Sequence, residues 1–120
     1  MSTLGTGPTI FHNPRCSKSR ETLQLLRDRG IEPEVVEYLK QPPSAVELDG
    51  LLRALGKQPR DLMRRKEAPY AALNLDDPGM TRGDLVMAMV ENPVLIERPI
   101  VVNGMKAVIG RPPENVLTIL

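Results

Sequence analysis

Pro8 to Leu39, PTIFHNPRCSKSRETLQLLRDRGIEPEVVEYL, changes its apolar spacing twice, and those changes decide the fold class. Thr9 to Phe11 is a short apolar stretch that runs into turn formers, the pattern of a buried strand. After Cys16 the spacing becomes helical. Thr22, Leu23, Leu25, Leu26 and Arg29 follow it, and Gly30 stands where a helix stops. A second strand then centres on Val35 and Val36. Strand, helix and strand in this order predict a right-handed parallel βαβ unit.

Working outward, Ser44 with Glu47 three positions later is a capping-box signature. Leu48, Leu51, Leu52 and Leu55 continue that helix, and Gly56 ends it. QPRDLMRRKEAPYAALNL reads as two short helical pieces interrupted before Pro69. A further helix starts at Thr81, with Asp84 at N3, and ends before Pro93. Its Met87 and Met89 read as core or near-core residues rather than ligands. Asn103-Gly104 lies between two β-rich runs and signals a hairpin. RPPENVLTIL returns to helix, with proline tolerated in the first turn. The order β-α-β, helical block, β-β, α is that of a thioredoxin-like (glutaredoxin-like) α/β sandwich. It is expected as one domain over residues 1–120, with a helical insertion at about 44–92 and a flexible tail at 1–7.

Composition narrows the function classes. The 120 residues carry 16 Lys and Arg against 15 Asp and Glu, a net charge of +1. No polyanion or membrane partner is indicated by that balance. Two Tyr, one Phe and no Trp leave no aromatic platform for nucleic-acid bases. The longest clean apolar run, Leu85 to Val90, is far too short for a membrane span. A lone cysteine forms no internal disulfide, and MSTLGTG lacks the features of a secretory signal. A cytoplasmic protein is expected.

That cysteine, Cys16, sits between a strand and a helix with Arg15, Lys18 and Arg20 around it. Nearby cations and the N–H groups of a helix start both stabilise a thiolate, the reactive form. The hydroxyls of Ser17 and Ser19 can converge on an anion there, and His12 can add a donor or a charge. Spacing removes several chemistries. A tyrosine-phosphatase loop needs Arg six positions after the Cys, where Thr22 stands. A dithiol oxidoreductase needs a second Cys where Ser19 stands. One Cys and one His make no zinc site, so no metal is expected. Acting alone in a redox cycle, the thiol must draw electrons from a small thiol or a redox protein.

FHNPRCSKSRETLQLL resembles the amino-terminal motif of the glutaredoxin-coupled arsenate reductases, His-Asn-Pro-x-Cys followed by Ser-Arg at the helix start. EYLKQPPS, LMRRKEAPY, NPVLIERPIVV and GRPPENVL are similar to that family in the same order, so the resemblance runs from about Pro8 to Leu120. It implies Cys16 as the nucleophile and Arg64, Arg98 and Arg111 as the oxyanion-binding arginines. It further implies supporting roles for His12 and Ser19, and a cis-proline at Pro99. No bound cofactor is implied; glutathione would be the cosubstrate and glutaredoxin the electron donor. The implied activity is reduction of arsenate to arsenite through a covalent Cys16 adduct, in arsenic detoxification. Cys16-Ser17-Lys18-Ser19 differs from the Cys-Gly-Thr-Ser of arsenate-resistance members and is similar to an arsenate-reductase-like subgroup.

The residues themselves support the arginines unequally. Planar guanidinium forks suit tetrahedral oxyanions. Arg98 and Arg111 bracket the predicted hairpin, so antiparallel pairing would bring them to one end of the sheet. Arg64, taken without the resemblance, reads as a surface charge, and Glu67 and Tyr70 beside it read as packing residues. Two other readings stay open. One is a regulatory or interaction protein of the RNA-polymerase-binding type, which usually carries the Cys-x-x-Cys that Ser19 denies. The other is a thiol reductase acting on a different oxyanion.

Overall fold

Strands β1 (Thr9–His12), β2 (Glu34–Glu37), β3 (Ile100–Asn103) and β4 (Lys106–Ile109) form one sheet in the order β2-β1-β3-β4 in a computed structural model, which describes residues 7–120. The expected tail, apart from Gly7, lies outside the described residues. β1 pairs with β2 in parallel, Ile10 opposite Val35. It pairs with β3 antiparallel, Ile10 opposite Val101, and β3 pairs with β4 antiparallel. Helix α1 (Ser17–Asp28) makes the crossover from β1 to β2, so the expected βαβ unit is present. Gly30, at φ +77°, turns the chain after α1 in a conformation that suits a residue without Cβ.

This sheet, α1 and the carboxyl-terminal segment form the first of two compact units, which runs to Gln41 and resumes at Arg98. Its core is Ile10, Leu26, Val101 and Val116, all fully buried, with Leu23, Ile31 and Val108 packed against them. Burying each such side chain contributes roughly 1.5–3 kcal/mol. β2 lies at the sheet edge, and Val35 is exposed there, so the strand is less buried than its two valines imply.

The hairpin is shifted by one residue from its sequence signal. Asn103 pairs with Lys106, so the two-residue loop is Gly104-Met105, with Gly104 at φ +63°. Glycine at the first loop position suits a type II′ turn. Asn103 stays in the ladder, and its side-chain amide donates to the Ile119 carbonyl at 2.7 Å. The last segment, Pro113–Ile119, is a 3-10 helix rather than an α-helix. Pro112 and Pro113 lack N–H donors.

The second unit, Pro42–Glu97, contains α2 (Ala45–Leu55), α3 (Pro59–Leu62), α4 (Ala68–Ala72), α5 (Arg82–Glu91) and the 3-10 turn Pro93–Leu95. Capping boxes start α2 at Ser44–Glu47 and α5 at Thr81–Asp84, as the sequence predicts. α5 packs against α2 and α3, and Leu48, Leu52, Leu62, Leu75, Met89 and Leu95 are fully buried. Met87 is exposed, contrary to expectation. Two positions along a helix is about 200° of rotation, so Met87 and Met89 cannot share one face.

Candidate active site

Cys16 is the N-cap of α1, and it makes no side-chain capping bond. No acidic residue occupies the first helical turn. The first intrahelical bond is Arg20 N–H to the Cys16 carbonyl at 3.0 Å, so the earlier N–H groups have no acceptor within the helix. A residue type that caps poorly therefore stands where a helix presents its partial positive charge. Cys16 is buried, with 7% of its surface exposed.

The turn before it is held by its own backbone and by Asn13. The Cys16 N–H donates to the Asn13 carbonyl and the Arg15 N–H to Asn13 Oδ1, both at 3.0 Å. The Asn13 N–H donates to Ser19 Oγ at 3.0 Å. Ser19 is fully buried, and its Oγ lies 2.6 Å from His12 Nδ1. Ser19 Oγ therefore bonds both the loop backbone at Asn13 and the His12 ring. Ser19 thus joins loop to strand from the inner side rather than facing an anion.

His12 is buried opposite Glu37 in the sheet. Burial holds its pKa below the ordinary value, Glu37 opposes that, and Arg27 and Arg20 add to it. The imidazole is therefore held toward its neutral form. It supplies a hydrogen-bonding strut at the base of the loop and not the positive charge that the sequence allows.

The neighbouring cations are mostly engaged elsewhere. Arg20 Nη1 donates to the Pro14 carbonyl at 3.0 Å, and Lys18 Nζ pairs with Glu21 at 3.6 Å. The guanidinium that reaches the thiol is that of Arg111, whose Nη2 donates to Cys16 Sγ at 3.4 Å. Arg111 Nε donates to the Arg98 carbonyl at 2.7 Å, which fixes the fork over the sulfur. The register explains this placement. Ile100 pairs with Ile109, so Arg98 and Arg111 leave the same end of the β3–β4 hairpin. Both precede a cis-proline, Pro99 and Pro112.

Gly110 completes the arrangement. Its N–H donates to the Pro99 carbonyl at 2.9 Å. A Cβ there would meet Thr22 Oγ1 at 2.6 Å and Pro99 Cγ at 3.0 Å, so the β4 end lies directly on α1. The Thr22 hydroxyl donates to the Lys18 carbonyl at 2.8 Å, with the Gly110 carbonyl 3.4 Å away. Asn13, Thr22 and Gly110 carry the site geometry without having stood out in the sequence. Asn13 had a signal, the Asn-Pro turn; the other two meet 88 positions apart.

Arg64 belongs to the second unit. Its Nε lies 3.3 Å from Glu67 Oε2 and its Nη1 3.5 Å from Glu97 Oε1. Glu67 is thus an ion-pair partner rather than a packing residue, and Glu97 is a second partner the sequence did not single out. Arg65 lies over the Tyr70 ring, and Tyr70, buried, donates to Asp76 at 2.5 Å. No group of three or more His, Cys, Asp or Glu side chains among the described residues is placed to hold a metal ion. No helix among them is long and apolar enough to cross a membrane.

Comparison with known proteins gives concordant matches. The model of the ArsC family matches residues 11–119. The chain is 51% identical over 112 residues to an arsenate reductase of Haemophilus influenzae, covering 92% of this chain and 97% of that one. It is 58% identical over 112 residues to an uncharacterized Escherichia coli K12 protein, YfgD, covering 92% and 94%. Among solved structures, the arsenate reductase from Vibrio cholerae superposes with a TM-score of 0.92 at 52% identity, covering 95% of this chain and 98% of that one. The sheet order and this likeness make the fold thioredoxin-like α/β, as the sequence predicts.

Proposed function

This chain belongs to the ArsC family, and from that premise we propose that it is an arsenate reductase with Cys16 as nucleophile. The observation that carries the proposal is the Arg111 contact with Cys16 Sγ at the uncapped start of α1. A guanidinium and a helix start aimed at one sulfur attract an anion to it.

The thiolate attacks arsenic(V), forming an S–As bond as one oxygen leaves, protonated, as water. Glutathione thiolate then attacks the Cys16 sulfur. A disulfide forms, the S–As electron pair stays with arsenic, and arsenite departs with arsenic in the +3 state. Glutaredoxin reduces the Cys16–glutathione disulfide and returns the thiol. Arg111 and Arg98 stabilise the charge that the oxyanion carries into the adduct. Arg64 joins them on the resemblance alone. His12 and Ser19 keep the loop in place, and cis-Pro99 leads the chain from Arg98 into β3. A cytoplasmic setting supplies glutathione and glutaredoxin.

The test is arsenate-dependent NADPH oxidation in the presence of glutathione, glutaredoxin and glutathione reductase. Wild-type turnover should vanish in Cys16→Ser and fall about 10²–10³-fold in Arg98→Ala and Arg111→Ala. Turnover that survives in Cys16→Ser would refute the proposal. No wild-type turnover, with Cys16 still readily alkylated, would keep the thiol and discard arsenate.

A further inference from the structure

Arg111 reaches Cys16 from a short segment, Gly110-Arg111, whose backbone polar groups are each held. The Gly110 N–H donates to the Pro99 carbonyl at 2.9 Å, and the Thr22 hydroxyl lies 3.4 Å from the Gly110 carbonyl. The Arg111 N–H donates to the Ile109 carbonyl at 2.9 Å. The Arg111 carbonyl accepts from Asn115 Nδ2 at 3.0 Å, and the same nitrogen lies 3.5 Å from the Ile109 carbonyl. The first three partners stand on or beside the β3–β4 hairpin and on α1; the fourth is a side chain of the carboxyl-terminal 3-10 helix.

Proline explains why a side chain is used. Pro112 and Pro113 follow Arg111 and carry no N–H, so neither can turn back on these carbonyls. The Asn115 amide supplies the donor, and its two hydrogens suffice for both. Asn115 is itself anchored. Its N–H donates to the Pro112 carbonyl at 3.0 Å, its carbonyl accepts from Thr118 Oγ1 at 2.7 Å, and the next residue, Val116, is fully buried in the core. Arg111 is thus held at its backbone by Asn115 and at Nε by the Arg98 carbonyl, with Nη2 on the Cys16 sulfur. Misplacing such a group by about 1 Å is enough to weaken catalysis severely.

Resting on the reading of Arg111 as an oxyanion-binding residue, we infer that Asn115 is its positioning residue, whose amide fixes the Arg111 backbone so that the guanidinium stands over the Cys16 sulfur. The amide bonds carbonyls and not the sulfur, so it acts through Arg111.

The experiment compares alkylation of Cys16 by iodoacetate, an anion, with alkylation by iodoacetamide, a neutral reagent of similar size. The ratio of the two rates cancels thiol reactivity and access, reports the positive charge over the sulfur, and does not depend on arsenate turnover. Arg111→Ala should lower the ratio about tenfold, and Asn115→Leu, which removes the donor at nearly constant size, about threefold or more. In the Arg111→Ala background, Asn115→Leu should lower it no further, because no guanidinium remains to be aimed. Asn103→Ala, which releases the other end of the same 3-10 helix from its bond at Ile119, should leave the wild-type ratio. An unchanged ratio in Asn115→Leu, while Arg111→Ala lowers it, overturns the inference. So does a further fall in the double variant, or an equal fall in Asn103→Ala, which would assign the effect to the stability of the helix. If Arg111→Ala itself leaves the ratio unmoved, the reading of Arg111 fails and the inference goes with it. Ratios that move as expected without arsenate turnover by the wild type would discard arsenate and leave Asn115 in its role.

Discussion

His12 and Ser19 are buried polar residues under the Cys16 loop, and their pairing has a pH signature. Burial of the ring opposes the charged imidazolium, so the neutral form fits the site better. Burial lowers the folded-state pKa from the 6.5 of an ordinary histidine. The unfolded chain then binds the proton first as pH falls. The contribution to stability is complete above about 6.5 and is lost as pH drops from there through the lower folded value. Urea midpoints should accordingly fall between pH 8 and pH 5.5. His12→Asn, which keeps an acceptor near Nδ1 and removes the titration, should show a shallower fall. Parallel curves for the two proteins would mean that His12 is not held neutral. The same residue scale separates what is legible in sequence from what is not. Cys16 stands out as a lone thiol at a strand–helix turn. Lys18 and Arg20 look like its partners, yet their contacts go to Glu21 and Pro14, while the guanidinium on the sulfur comes from Arg111. Local spacing reports which charges are near in sequence; side-chain reach and register decide which one arrives.

Elements are joined to the site through the contact of β4 with α1 at Gly110. Ala at this position must push its Cβ against Thr22 Oγ1 and Cγ2, 2.6 and 3.1 Å from the ideal atom, and against Pro99 Cγ. Overpacking of this kind costs about 1–3 kcal/mol. It also lifts Arg111, the next residue, from the start of the helix. Gly110→Ala should therefore lower both the denaturation midpoint and turnover. Thr22→Ala/Gly110→Ala, which removes the opposing atoms, should recover more than either single change allows if the effects simply added. Strict additivity in that cycle would show that the contact is not the cause. Caps and stops were legible at this scale because they depend on residues three or four apart: Ser44 with Glu47, Thr81 with Asp84, Gly30 and Gly56. The turn shift to Gly104-Met105 was not, because the Asn103 amide is recruited by Ile119, sixteen residues on.

At the scale of the whole chain, the first unit is discontinuous in sequence. Its central pairing joins Thr9–Phe11 to Ile100–Val102, and its core draws Ile10 and Leu26 from one end and Val101 and Val116 from the other. β1 without β3 has only the edge strand β2 beside it, and Ile10 and Leu26 then have no Val101 or Val116 to pack against. A two-stranded sheet with half a core is not independently stable in water. Pairing across so long a separation also makes sheet closure a late, slow event in folding. A chain ending at Glu97 should consequently lose the protection of the Ile10 amide against hydrogen exchange, while the full chain protects it near the global limit. Adding a peptide of residues 98–120 should restore some protection in proportion to its concentration, since the peptide carries β3, β4, Val101 and Val116. Persistent protection of Ile10 in the truncated chain would mean that β1, β2 and α1 hold together on their own. The carboxyl-terminal strands would then serve to deliver Arg98 and Arg111 rather than to complete the fold. Loss and restoration together would show that the segment carrying the two arginines also closes the sheet, so that the unit forms and Arg98 and Arg111 reach their places in a single step.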